Sequence, residues 1–142
     1  MTYDFVREPL SREEADRLVN ACQRFREKLV VWTLLDTGLR VSELCNLRRE
    51  DVQWQERRLV IWGKGGPFGT RGKRRIVPLT NRALKLLEIH FITAHRMGIN
   101  VRAAQRIVKQ VADRAMITKP VSPHSLRHNA ELRIMPSCMV RS

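Results

Sequence analysis

A chain of 142 residues with 43% hydrophobic and 29% charged positions has the material for one folded domain with its own core, which excludes a disordered tail. Its formal net charge of +13 is costly to keep on a compact monomer and calls for a polyanionic partner, nucleic acid first. Membrane and secretory classes are set aside: no apolar run approaches the roughly 20 residues of a spanning helix, and Met1-Thr2-Tyr3-Asp4 is too polar to open a signal peptide, so a cytoplasmic location is expected.

Ser11, with Glu14 three residues on, forms a capping box, and Ala15, Leu18, Val19, Cys22 and Phe25 follow at helical spacing, which predicts an amphipathic helix. Leu29 to Leu35 is nearly all apolar, as in a helix buried on most sides, and Gly38 stands where a left-handed helix stop belongs. Arg40 then emerges just beyond a helix terminus, ahead of a short helix over Val41 to Leu47. Val52-Gln53-Trp54, Leu59 to Trp62 and Arg75-Ile76-Val77 read as three strands. Between the last two lies Gly63 to Arg74, a glycine-rich, basic hairpin tip without a single acid, able to reach a phosphate backbone. Two amphipathic helices are predicted, from about Asn81 to His95 and from Val101 to Ala115. Ser122-Pro123 then supplies an N-cap and a first-turn proline for a last helix carrying His124, Ser125, Leu126, Arg127 and His128. The expected class is α+β, mainly helical, with a small three-stranded antiparallel sheet.

The charge is segregated along this order. Residues 1–56 hold 9 Lys/Arg against 11 Asp/Glu, and residues 57–142 hold 18 against 3, so the two parts carry −2 and +15. Such separation marks a directed basic face.

Several side chains invite chemistry. His124 and Arg127, three apart, share one face near a helix N-terminus and can address a single anion. His124 and His128, four apart, have the spacing of helical zinc ligands, but Ser125 stands where a His-Glu-x-x-His site needs glutamate and no third ligand is evident. Cys22, Cys45 and Cys138 are odd in number and widely spaced, which suggests neither a disulfide framework nor a zinc ribbon; no metal is expected. Gly72-Lys73 is not a phosphate-binding P-loop, because Pro67 replaces its first glycine and Arg74 its Ser or Thr. Arg40 and Glu43, taken alone, read as a surface ion pair contributing a few tenths of a kcal/mol.

The order and spacing of the whole set change that weighing. Thr37-Gly38-Leu39-Arg40-Val41-Ser42-Glu43-Leu44 closely resembles the first arginine motif of tyrosine-type site-specific recombinases, Xer-type proteins and phage integrases included. Gly63-Lys64-Gly65 at a hairpin resembles their catalytic-lysine loop. Arg75-Ile76-Val77-Pro78-Leu79 is similar to the strand exit that follows it, and His124-Ser125-Leu126-Arg127-His128 matches their His-x-x-Arg motif. The resemblance spans roughly residues 9 to 128 and implies the recombinase catalytic domain over 1–128, with a divergent or irregular tail over 129–142. It further implies that Arg40 and Arg127 clamp a scissile DNA phosphate, that Lys64 protonates the departing 5′ oxygen, and that His124 assists proton transfer at the nucleophile. Glu43 would orient Arg40, and Arg71, Lys73 and Arg74 would touch DNA. The chemistry fits those residue types: planar arginine forks stabilise the charge that a phosphodiester gains at its transition state, without a metal or other cofactor, and a lysine can act as general acid.

The departures from the family pattern carry equal weight. The family continues to a second His or Trp and then to the attacking tyrosine, whereas Tyr3 is the only tyrosine here and precedes every motif. No nucleophile is assigned, so the expectation is a C-terminally truncated domain that also lacks the family's N-terminal helical domain and is inactive alone. The partners expected are double-stranded DNA and full-length recombinase protomers, with the chain monomeric by itself and no membrane involved. A non-catalytic DNA-binding remnant or competitor of a full-length integrase is the alternative. A basic structural or RNA-binding protein is a third reading, against which the buried aliphatic helix and three ordered motifs argue.

Overall fold

The computed structural model describes residues 9–62 and 74–134. Helix α1 (Arg12–Ala21) opens with the expected reciprocal cap: the Glu14 N–H donates to Ser11 Oγ at 3.1 Å and the Ser11 N–H to Glu14 Oε1 at 2.8 Å. Helix α2 (Phe25–Thr37) is the hub. Leu29, Val30, Val31, Leu34 and Leu35 are all buried, because α1 and the three later helices described below pack around it. It stops at Gly38, whose φ of +74° is a left-handed conformation that a Cβ would penalise.

Helix α3 (Val41–Cys45) follows, then a 3-10 turn (Arg49–Asp51) and strands β1 (Val52–Gln53), β2 (Arg58–Trp62) and β3 (Arg74–Pro78). The strands form one antiparallel sheet in the order β1-β2-β3, with Leu59 opposite Val77 and Ile61 opposite Arg75. Leu59, Ile61 and Val77 turn to the core, as the two-residue alternation of a half-buried sheet requires. Helices α4 (Asn81–Phe91), α5 (Val101–Arg114) and α6 (Pro123–Ile134) complete the layer around α2. The mainly helical α+β class with its small antiparallel sheet is thus the one observed. The basic tip between β2 and β3 lies outside the described residues, apart from Arg74.

Several helix boundaries differ from expectation. The helical spacing expected to run on through Phe25 breaks at Ala21, where α1 ends, and Phe25 instead opens α2. Helix α4 stops at Phe91 rather than near His95, because Arg49 takes over its exit: Nη2 donates to the carbonyls of Ala94 (2.9 Å) and Ile92 (3.4 Å), and the Arg49 N–H to that of His95 (3.0 Å). Helix α3 ends at Cys45 rather than Leu47, its last turn tightened by the Leu47 N–H donating to the Leu44 carbonyl at 3.2 Å. Helix α6 continues past His128 to Ile134, so residues 129–134 are helical rather than irregular; Asn129 and Ala130 are buried. The Asn129 amide accounts for this, accepting from the Leu10 N–H at 2.7 Å and donating to the Leu10 carbonyl at 3.0 Å.

Candidate active site

The site begins at the end of α2. The left-handed turn at Gly38 swings the chain so that Arg40 becomes the N-cap of α3, with its own side chain 65% exposed. An arginine side chain has no acceptor and cannot cap, so the acid at the third helical position does the work: Glu43 Oε1 accepts the Arg40 N–H at 2.9 Å. That bond holds the Glu43 carboxylate at the mouth of α3, where its side chain is only 12% exposed.

Two arginines from distant elements meet it there. Arg75 shares the inward face of β3 with Val77 and donates through both Nη atoms to the two oxygens of Glu43, at 2.9 and 3.1 Å. Arg127, on the second turn of α6, donates through Nη1 to the Gly38 carbonyl at 2.6 Å and lies 4.0 Å from Glu43 Oε1. Its Nη2 is 3.4 Å from Glu131 on the next turn. Arg40 Nη1 lies 3.9 Å from Glu43 Oε2. Three guanidinium groups therefore border one carboxylate. Burial raises the Glu43 pKa, but the Arg75 fork and the Arg40 N–H outweigh it and hold the carboxyl below its ordinary range.

Arg40 and Arg127, the two arginines singled out in the sequence, are thus brought together. Glu43 is oriented chiefly by Arg75, with Arg40 contributing its backbone N–H. Ser122 caps α6 as expected, its Oγ accepting the Ser125 N–H at 3.3 Å, and Pro123 occupies the first turn. This places His124 exposed at the helix start, on the face shared with Arg127 by the three-residue spacing and without a hydrogen-bond partner among the described residues. Arg74 is exposed opposite Trp62. Lys64, Arg71 and Lys73 lie outside the described residues. An open groove of about 850 Å³ runs from Arg40 and Glu43 past Asn46 and Arg48 to Trp62.

Arg75 is the site residue that motif reading passed over. A signal was present: two positions from Val77 it had to face inward, and an inward arginine needs an acid.

The chain matches the model of the phage integrase family over residues 8–137. Among curated relatives, the tyrosine recombinase XerC of Xanthomonas campestris pv. campestris is 33% identical over 144 residues, 90% of this chain and 43% of its own length. The chain spans less than half the length of the curated relatives it matches. A crystal structure of XerA recombinase superposes with a TM-score of 0.78 at 28% identity, covering 90% of this chain and 49% of that one. The Tn1549 transposon integrase, solved in complex with transposon right end DNA, has the same fold at 17% identity, with a TM-score of 0.68 over 90% of this chain and 53% of its own. With both arginine motifs at one carboxylate and the family match spanning every described residue, the chain belongs to the phage integrase family and has the fold of a tyrosine recombinase catalytic domain.

Proposed function

We propose that this chain binds duplex DNA and grips one backbone phosphate between Arg40 and Arg127, as the catalytic domain of a site-specific recombinase that breaks and rejoins DNA. The observation that carries the reading is the meeting of these two arginines, far apart in sequence, within 4.0 Å of the Glu43 carboxylate. DNA in the structure of the Tn1549 integrase, which shares the fold, supports it.

In this reading the two forks neutralise the non-bridging oxygens as charge builds at the transition state. Lys64 delivers a proton to the departing 5′ oxygen, and His124 handles the proton of the attacking hydroxyl. Glu43 is a positioning group, while Arg71, Lys73 and Arg74 hold the neighbouring backbone. DNA bound by one protomer would reach other recombinase protomers through the rest of the assembly.

A second reading is favoured by one observation: the single tyrosine, Tyr3, precedes both arginine motifs. By this reading the 142-residue chain holds DNA without forming a covalent link, acting as a DNA-binding competitor of longer recombinases. One experiment addresses both. The chain is titrated with labelled duplex at low salt, then incubated with nicked suicide duplexes and run under denaturing conditions. Binding weakened about tenfold or more by Arg40→Ala or Arg127→Ala is expected, the scale of losing a charge-assisted hydrogen bond. Binding indifferent to both substitutions would sink the phosphate reading. A denaturant-resistant protein–DNA adduct would overturn the non-covalent one.

A further inference from the structure

Among the strand residues described, Arg75 stands out as a charged group on an inward face. It lies two positions before buried Val77 and across the sheet from buried Ile61, so strand alternation aims it at α3. There it meets both oxygens of Glu43 in parallel, with 40% of its own side chain still open to water. We infer that Arg75 is a positioning residue for the phosphate site: by occupying the Glu43 carboxylate it keeps the Arg40 and Arg127 guanidinium groups available to DNA. The inference rests on the phosphate-binding reading above.

A carboxylate beside a phosphate site is a rival for the same forks, since a planar guanidinium fits either anion bidentately. Glu43 cannot move away, because its Oε1 also accepts the Arg40 N–H at the start of α3. With the Arg75 fork in place, Arg40 and Arg127 stand 3.9 and 4.0 Å from the carboxylate oxygens, outside hydrogen-bonding range. Without Arg75, two guanidinium groups flank a nearly buried, unneutralised carboxylate. Whichever one closes on it is withdrawn from DNA. Arg75 thus acts on the substrate through Glu43.

The test is a set of coupled substitutions in the 142-residue chain, read by titration of a fluorescein-labelled DNA duplex, with circular dichroism and thermal melting to establish that each variant is folded. Arg75→Ala is expected to weaken binding about tenfold, equivalent to one charge-assisted hydrogen bond. Adding Glu43→Gln to it is expected to recover most of the loss, because the rival charge is gone. In the Arg40→Ala, Arg127→Ala background, Arg75→Ala is expected to cost nothing more. Arg75→Lys keeps a cation without the fork and should fall between wild type and Arg75→Ala; it decides the matter if Arg75→Ala does not fold. Wild-type affinity for Arg75→Lys overturns the inference. So does failure of Glu43→Gln to rescue, or a further loss in the double-arginine background, either of which would mean that Arg75 touches DNA itself. If Arg40→Ala and Arg127→Ala leave binding intact, the phosphate reading fails and takes this inference with it; if they weaken it while Arg75→Ala does not, only this inference falls.

Discussion

Glu27 accepts four hydrogen bonds: from the N–H groups of Gln23 (2.8 Å) and Arg24 (3.2 Å) and from both Nη atoms of Arg114 (2.8 and 3.1 Å). The arrangement repeats that of Glu43, an acid at the third position of a helix whose N-cap is arginine, met by the fork of a distant arginine. At Glu27 the fork ties α5 to the start of α2, and the Arg114 fork, ahead of the opposing effect of burial, holds the carboxyl down at a pKa of about 2. A carboxyl whose pKa is depressed on folding contributes stability that is fully present above its unfolded pKa, near 4.5, and is lost as pH falls toward about 2. The Arg114 side chain is 33% exposed, so solvent screens part of the pair. Glu27→Gln should therefore lower the urea midpoint at pH 7, and the gap from wild type should narrow steadily as pH drops from 4.5. A gap constant with pH would show that the loss comes from packing rather than charge.

Helix α6 is anchored by a side chain as well as by apolar area. Asn129 closes two hydrogen bonds on the Leu10 backbone in a buried setting, joining the segment ahead of α1 to the helix that carries Arg127. Asn129→Ala leaves the Leu10 N–H and carbonyl unpaired and is expected to cost about 2 kcal/mol, read as a lower urea midpoint. A midpoint equal to wild type would show that the two groups find other partners and that the amide is dispensable. This clamp also marks where sequence reading stopped working. The start of α1, the end of α2 and the start of α6 were legible because Ser11 with Glu14, Gly38, and Ser122 with Pro123 act on their own neighbours in the chain. The exit of α4 was not, since it depends on Arg49 reaching across from the 3-10 turn, and neither was Asn129, whose partner lies near the other end of the chain. The site divides in the same way. Arg40, Glu43 and Arg127 sit in motifs whose resemblance to a known family singled them out, whereas the role of Arg75 exists only when β3 is laid beside α3.

Salt should act in opposite directions on the stability of the chain and on its hold on DNA. A net charge of +13 on 142 residues repels itself in the folded state, so screening is expected to raise the melting temperature of the free chain. Binding to duplex DNA gains from the counterions that lysine and arginine displace, so added salt weakens it, with log K falling against log[salt] by about 0.9 for each phosphate neutralised. Because residues 57–142 carry 18 of the 27 basic residues, the slope should be set there rather than by residues 1–56, whose charges nearly cancel. The substitution Arg71→Gln, Lys73→Gln, Arg74→Gln discriminates between a phosphate-gripping hairpin and a diffuse field. If these three side chains each meet a phosphate, the slope flattens by about 0.9 for every phosphate no longer neutralised, and the effect is the same on duplexes of unrelated sequence, because gripping phosphates positions a protein without reading bases. If they add only to the long-range field, affinity falls modestly at low salt and the slope flattens by less than about 0.9 for all three together. Arg40→Ala and Arg127→Ala, which share one phosphate in the proposed site, should together flatten the slope by no more than about 0.9. A slope near zero for the unsubstituted chain would mean that its charge is not directed at nucleic acid at all.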